Sequence, residues 1–261
     1  MKIAVSGKGG VGKTTFSAVL ARLLSSEGKR VFAIDADPDA NLASAVGIPA
    51  STKIVPLAQM RKLIRERTEA GDGGFGVFFK LNPTVSDIPD KFFVEHAGVK
   101  VLVLGAVQIG GGGCACPENV FLKALLNHLM LQRDEIVIVD MEAGIEHLGR
   151  ATVTGIDLLV VVIEPGRHSI DTARRIESLA RDIGIKRVAV VVNKVRDEDQ
   201  EKQVLEHLEG MEVVGVMHYD EAALKSDLDG VSPFDASGKL VEDIKGIYEN
   251  LVTSLHEAGK E

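Results

Sequence analysis

The first fifteen residues, MKIAVSGKGGVGKTT, constrain this chain more than any other stretch. Lys2 to Ser6 is a short apolar run rich in β-favouring residues. A helical spacing begins just after the glycines, with Phe16, Val19, Leu20, Leu23 and Leu24. Between them, Gly7-Lys8-Gly9-Gly10-Val11-Gly12-Lys13-Thr14 satisfies G-x-x-x-x-G-K-S/T, the pattern of a phosphate-binding loop. Glycines let such a backbone curl until successive N–H groups point inward at one anion. The positive end of the following helix faces the same point. Lys13 would reach the β- and γ-phosphates, the Thr14 hydroxyl would hold Mg²⁺, and Thr15 closes the nucleotide-binding set.

A plain phosphate loop needs only the lysine after its last glycine, yet Lys8 stands near the first. The arrangement G-K-G-G-V-G-K-T-T resembles the deviant phosphate-loop ATPases, among them nitrogenase iron protein, septum-site and plasmid-partition ATPases, and metallocentre maturation ATPases. That resemblance implies that Lys8 reaches across a dimer to the nucleotide of a second copy. The residues alone leave open a solvated lysine.

With 261 residues, 45% of them apolar and 26% charged, the chain fits one soluble α/β domain over 1–261. Its 38 acidic against 30 basic residues, a formal charge of −8, argue against a dedicated nucleic-acid binder. No apolar run approaches the ~20 residues that span a bilayer, so no membrane partner is expected. The start reads as a buried strand carrying the loop rather than a cleavable signal. Two cysteines, two positions apart, do not make a secreted disulfide framework, and the expected compartment is the cytoplasm.

Apolar strands alternating with helices predict an α/β fold: a mostly parallel twisted sheet with helices on both faces. The first helix runs from Thr14 to about Glu27 and stops at Gly28; Lys29 to Ile34 is a second strand. It ends in Asp35-Ala36-Asp37-Pro38-Asp39-Ala40-Asn41, acids on the side where open α/β sheets bind ligands. In the deviant ATPases the second aspartate of D-x-D orients the attacking water, and here that residue is Asp37; an acidic, Pro-stopped loop is the other reading. Residues 56–68 read as a helix with a basic, solvated face of Arg61, Lys62, Arg65 and Arg67, and 71–90 as loop-rich. Val99 to Leu104 is the third strand.

Next comes GAVQIGGGGCACP, residues 105–117. Cys114-Ala115-Cys116 puts two thiols at the start of a helix from Pro117 to about Met130, where the dipole favours thiolates. The pair is half of a closed thiolate metal site, to be completed by histidine or by the same cysteines of a second copy; a redox pair and inert packing remain open. Glu135 to Asp140 is a buried strand whose final aspartate takes the Walker B position toward Mg²⁺. Gly144 would serve a switch, and His147 reads as a structural histidine, with a metal ligand or a relay as the other readings. Strands Asp157–Ile163, Arg187–Val192 and Met211–Val216 follow, with helices from Ser169 to Ile183 and from Lys239 to Ala258. Guanine readers use N-K-x-D, but in Asn193-Lys194-Val195-Arg196-Asp197 the aspartate comes one place late. Asn193 still offers an amide to the adenine edge, which favours ATP.

Gly7–Thr15, Asp35–Asp39, the cysteine pair, Asp140–Leu148 and Asn193-Lys194 together resemble the CooC-type nickel-maturation ATPases. These serve carbon monoxide dehydrogenase and, in a close branch, acetyl-CoA synthase. The resemblance implies an ATP-dependent homodimer that binds nickel, or zinc in isolation, between subunits and delivers it to a nickel–iron–sulfur client enzyme. Glu142, where a small residue is expected, and Met217-His218, where a proline is expected beside the base, depart from the pattern. Partition or septum ATPases share the loop but have no use for C-x-C. Reductases of the nitrogenase iron protein type bridge a 4Fe–4S cluster with cysteines from separate loops.

Overall fold

Uninterrupted runs such as Leu158-Leu-Val-Val-Val-Ile163, buried at every position, belong to strands covered on both faces. A computed structural model describes residues 1–71, 78–105, 116–132, 135–142 and 155–258. Within them the strands are β1 (Lys2–Ser6), β2 (Val31–Ala36), β3 (Val94–His96), β4 (Val99–Val103), β5 (Ile136–Met141), β6 (Leu158–Ile163), β7 (Val188–Val195) and β8 (Val213–His218). They form one sheet in the order β3-β4-β2-β5-β1-β6-β7-β8. Every neighbouring pair is parallel except β3 with β4. The expected mostly parallel architecture is what the chain adopts.

Helices α1 (Lys13–Ser26) and α10 (Gly238–Ala258) cover one face, where Phe16, Leu20, Leu24, Ile244 and Leu251 pack with Ile3 and Val5. Helices α5 (Pro117–Gln132) and α6 (Arg167–Ile183) cover the other, joining Phe121, Leu125, Leu129, Ala173 and Ile176 to Phe32 and Ile34. Shorter helices are α2 (Leu42–Val46), α3 (Arg61–Thr68), α4 (Ile88–Phe92), α7 (Glu198–His207), α8 (Glu221–Asp229) and α9 (Pro233–Ala236). Helix α1 ends as its sequence demands. Gly28 takes φ 79°, its N–H donates to Ser25 O, and the Lys29 N–H donates to Leu24 O, a two-bond left-handed cap.

Two local expectations are refined, and one short strand is new. The helix expected over 56–68 is two pieces: a 3₁₀ turn, Leu57–Gln59, and then α3. Ala58 N–H donates to Leu104 O, which ties the turn to the end of β4 and out of line with α3. Arg67 does not belong to a solvated face, because its guanidinium makes paired bonds of 2.7 and 3.0 Å to Asp87. That contact, with Lys91 added, holds the Asp87 carboxyl well below the usual range. Strand β3 carries no strong apolar pattern; it exists because Ala97 (φ 46°) and Gly98 (φ 75°) make a two-residue hairpin turn back onto β4.

Parallel connections bring the carboxyl ends of β1, β2, β5, β7 and β8 to one edge of the sheet. The residues of interest lie there.

Candidate nucleotide site

The loop after β1 is shaped by two glycines that nothing larger could replace. A Cβ on Gly7 (φ 144°) would lie 2.2 Å from Val162 O, and one on Gly12 (φ 99°) 2.1 Å from Asn193 Nδ2. Gly12 also begins α1, where no side chain caps the helix, leaving first-turn N–H groups for an anion. Lys13 is buried and its Nζ donates to Lys8 O at 3.4 Å, folded over the loop. Lys8 itself is exposed at the rim, beside Gly9 and Gly10.

The other side of the loop is held from a distance. Asn193 Nδ2 donates to Val11 O at 2.8 Å, and Lys194 Nζ donates to Gly10 O at 2.7 Å. In a trans peptide the carbonyl and the following N–H point opposite ways. Fixing the Gly10 and Val11 carbonyls outward therefore turns the Val11 and Gly12 N–H groups inward. Lys194 reaches this position through a left-handed φ of 62° at an irregularity in the β7–β8 pairing. Its own N–H is accepted by Asn193 Oδ1 at 2.8 Å. The amide assigned from sequence to the adenine edge thus faces the loop, a role that no local motif announces.

Opposite the loop stand three aspartates. Thr14 Oγ1 donates to Asp140 Oδ2 at 2.6 Å, and Ser17 Oγ to Asp140 Oδ1 at 3.4 Å. The register places Asp140 beside Val5 on one side and beside Asp35 on the other. Burial pushes Asp140 up to about 7; the Thr14 bond and Lys13 oppose the rise, while Asp35 and Asp37 add to it. Burial likewise raises Asp35 to about 6, against N–H bonds from Leu42 and Asp37. Asp37 is half-buried, and its Oδ1 accepts the Asp39 N–H at 3.0 Å. Buried carboxylates beside a threonine hydroxyl are the oxygen donors a hard divalent cation prefers, so the residues fit Mg²⁺. Such an ion would offset the cost of burying these charges and ease the smaller repulsion among the aspartates.

A cavity of about 540 Å³ runs from Gly12, Lys13, Thr14 and Asp37 to His218, Tyr219 and Asp220. Asp220 and Asp227 line its far end, and Asp197 stands outside the lining. Asp197 caps α7 by accepting the Gln200 N–H, and Asp220 caps α8 by accepting the Ala222 N–H and also the Ser237 hydroxyl. His218 uses the backbone N–H that a proline would lack, donating to Asp243 Oδ2 at 2.8 Å. The Tyr219 ring lies 4.6 Å from the Arg196 guanidinium.

Cys116 sits just before α5, half-buried, and burial together with Glu118 pushes its thiol up despite an N–H bond from Asn119. Cys114, Gly144 and His147 lie outside the described residues. Among the described residues no helix is long and apolar enough to cross a membrane.

Residues 2–234 match the family described as the CobQ/CobB/MinD/ParA nucleotide binding domain. The chain is 50% identical over 239 residues to the carbon monoxide dehydrogenase accessory protein CooC of Rhodospirillum rubrum, covering 91% of this chain and 90% of that one. It is 45% identical over 254 residues to the uncharacterized ATP-binding protein MJ0823 of Methanocaldococcus jannaschii, with 97% and 98% covered. Among solved structures, the MinC:MinD cell division complex of Aquifex aeolicus shares the fold at a TM-score of 0.71 and 20% identity, over 97% of this chain and 95% of that one. MinD of Pyrococcus horikoshii complexed with Mg-ADP does so at a TM-score of 0.67 and 17% identity, over 96% and 95%.

Proposed function

This chain belongs to the CobQ/CobB/MinD/ParA family of phosphate-loop ATPases, in the branch of the CooC accessory proteins, and from that premise we propose that it is an ATP-dependent metallochaperone. It binds nickel between two copies of itself in the cytoplasm and assists insertion into the nickel–iron–sulfur centre of carbon monoxide dehydrogenase or acetyl-CoA synthase. The observation that carries this reading is the near full-length identity to a relative named for carbon monoxide dehydrogenase. The C-x-C pair supplies the chemistry: two soft donors per chain, four in a symmetric pair, and no other cysteine to compete.

In this reading the glycine loop from Gly7 to Thr15 holds the phosphates of ATP, with Asn193 and Lys194 keeping its N–H groups turned inward. Lys13 neutralises the β- and γ-phosphates, and Lys8 does the same for the nucleotide of the second copy. Thr14 and Asp140 hold Mg²⁺, which neutralises charge on the phosphate oxygens when bound. Asp37 orients the attacking water. Lys13, Thr14, Asp140 and Asn193 stand on the helix start or on strands, while Lys8 and Asp37 stand on the loops that these elements hold, so the site acts by positioning.

Equilibrium dialysis against nickel tests the reading directly. It predicts one tightly held ion per two chains, lost in Cys114→Ser and in Cys116→Ser while ATP binding persists. One nickel per chain in a strict monomer, indifferent to both substitutions, overturns it. A broad absorption band near ~400 nm in protein purified without oxygen would instead indicate a thiolate-bound iron–sulfur cluster.

A further inference from the structure

We propose that Asp35 is a positioning residue for hydrolysis, which sets where Asp37 stands by holding both ends of the loop that carries it. The inference rests on the reading of Asp37 as the residue that orients water. Asp35 is fully buried at the end of β2, where a carboxylate is costly unless its oxygens are served. Oδ1 accepts the Asp37 N–H at 3.2 Å and Oδ2 accepts the Leu42 N–H at 2.9 Å. The Asn41 N–H adds to them. Residues 35–42 are thereby closed into a ring whose anchor cannot shift. β2 is paired on both sides, and the backbone carbonyl of Asp35 itself accepts the Leu104 N–H at 2.9 Å.

Inside the ring the bonds are short-range: Asp37 Oδ1 accepts the Asp39 N–H, and Asn41 Nδ2 donates to Asp39 O at 2.8 Å. They shape the loop but do not tie it to the sheet; among the bonds described here, Asp35 does that. An ionised carboxylate is acceptor-only on both oxygens, so it can serve N–H groups from two directions, whereas an amide serves one and opposes the other. The register also seats this anchor beside Asp140, so the loop that would orient water and the carboxylate that would hold the cation share one strand pair. A mere helix-start cap would need neither the Asp37 bond nor that neighbour.

The test measures steady-state ATP hydrolysis and the affinity for a fluorescent ATP analogue in the full chain with Mg²⁺. It compares Asp35→Asn, Asp37→Ala and the double variant. Asp35→Asn keeps the shape and turns one acceptor into a donor facing an N–H. We expect kcat about ten- to hundred-fold lower, as misplacement of a reacting group by an ångström costs. KM and analogue affinity should change by less than about threefold, and the double variant should be no slower than Asp37→Ala alone. Wild-type kcat in Asp35→Asn while Asp37→Ala is slow overturns the role of Asp35 only. Wild-type kcat in Asp37→Ala overturns the role of Asp37, and a slow Asp35→Asn beside it shows that Asp35 acts by another route. Multiplied losses in the double variant overturn the inference as well. If Asp35→Asn does not melt cooperatively, Asp35→Ser, which retains one acceptor, is put through the same comparison with the same deciding outcomes.

Discussion

The loop after β1 and the loop after β2 lie at the same edge of the sheet but are held in opposite ways. The first is fixed by residues more than 150 positions away: Val162 behind Gly7, Asn193 and Lys194 on the carbonyls of Val11 and Gly10. The second is fixed from within, by bonds two to seven residues apart, two of which converge on Asp35 while the third ties Asp39 to Asp37. A loop clasped by distant strands presents its N–H groups before any phosphate arrives. A loop closed on its own anchor is free to change its interior while its ends stay put. The first loop is thus held in shape from across the sheet, whereas the second, which carries the Asp37 proposed to orient water, is held by its own anchor.

Breaking the first loop should have the largest effect. Gly12→Ala places a methyl 2.1 Å from the Asn193 amide at a φ of 99°, so the backbone is strained and the amide must leave its place on the loop. Affinity for a fluorescent ATP analogue should fall by about a hundredfold or more, the strain and the displaced clasp acting together. Near-normal binding would mean that Asn193 moves freely and that the clasp is dispensable.

Asp37→Ala should separate the two loops. Hydrolysis should drop by about a hundredfold with analogue binding retained, since only the orientation of water is lost. Parallel losses in binding and turnover would show that the second loop also helps hold the nucleotide.

Asn193→Ala removes the buried bond to the Val11 carbonyl together with the acceptor of the Lys194 N–H. About a tenfold loss of analogue affinity is expected, the scale of one buried hydrogen bond, with kcat at saturation little changed. If kcat falls while affinity holds, Asn193 acts on the second loop and the contrast between the two is wrong.

The smallest effect concerns pH. Asp140 titrates at about 7 and Asp35 at about 6 in the fold, both above the ordinary 3.8. The native protein then binds more protons than the unfolded chain between those values. The stability contributed by these protons is complete below about 4 and is lost as pH rises toward about 7. Without Mg²⁺ the melting temperature should fall by about 5 °C between pH 5 and 8 from this source, and less in the Asp140→Asn variant. Binding of Mg²⁺ requires the ionised form, so its affinity should rise over the same interval. A melting temperature that climbs with pH in metal-free wild type, and equally in Asp140→Asn, would show that these carboxylates are not held protonated.

What the sequence determined is whatever depends on neighbours along the chain. Glycines, lysine and threonine in fixed order specify an anion-binding turn because peptide geometry and the helix start act within nine residues. Apolar runs specify strands, and Gly28 specifies where α1 stops, for the same reason. Asp140 was legible because a strand ending in a carboxylate is itself a local pattern. Tertiary structure decided what depends on strand order and register. Asp35 stands beside Asp140 because β2 pairs with β5, across a separation of a hundred residues that no pattern in either segment encodes. Asn193 and Lys194 meet the loop because β7 lies two strands from β1, so an amide that reads locally as a base contact also clasps the phosphate loop. Arg67 looks like one more solvated cation until the fold brings Asp87 to it. Short-range geometry is written residue by residue, whereas a side chain's partner across the sheet is fixed only when the strands choose their neighbours.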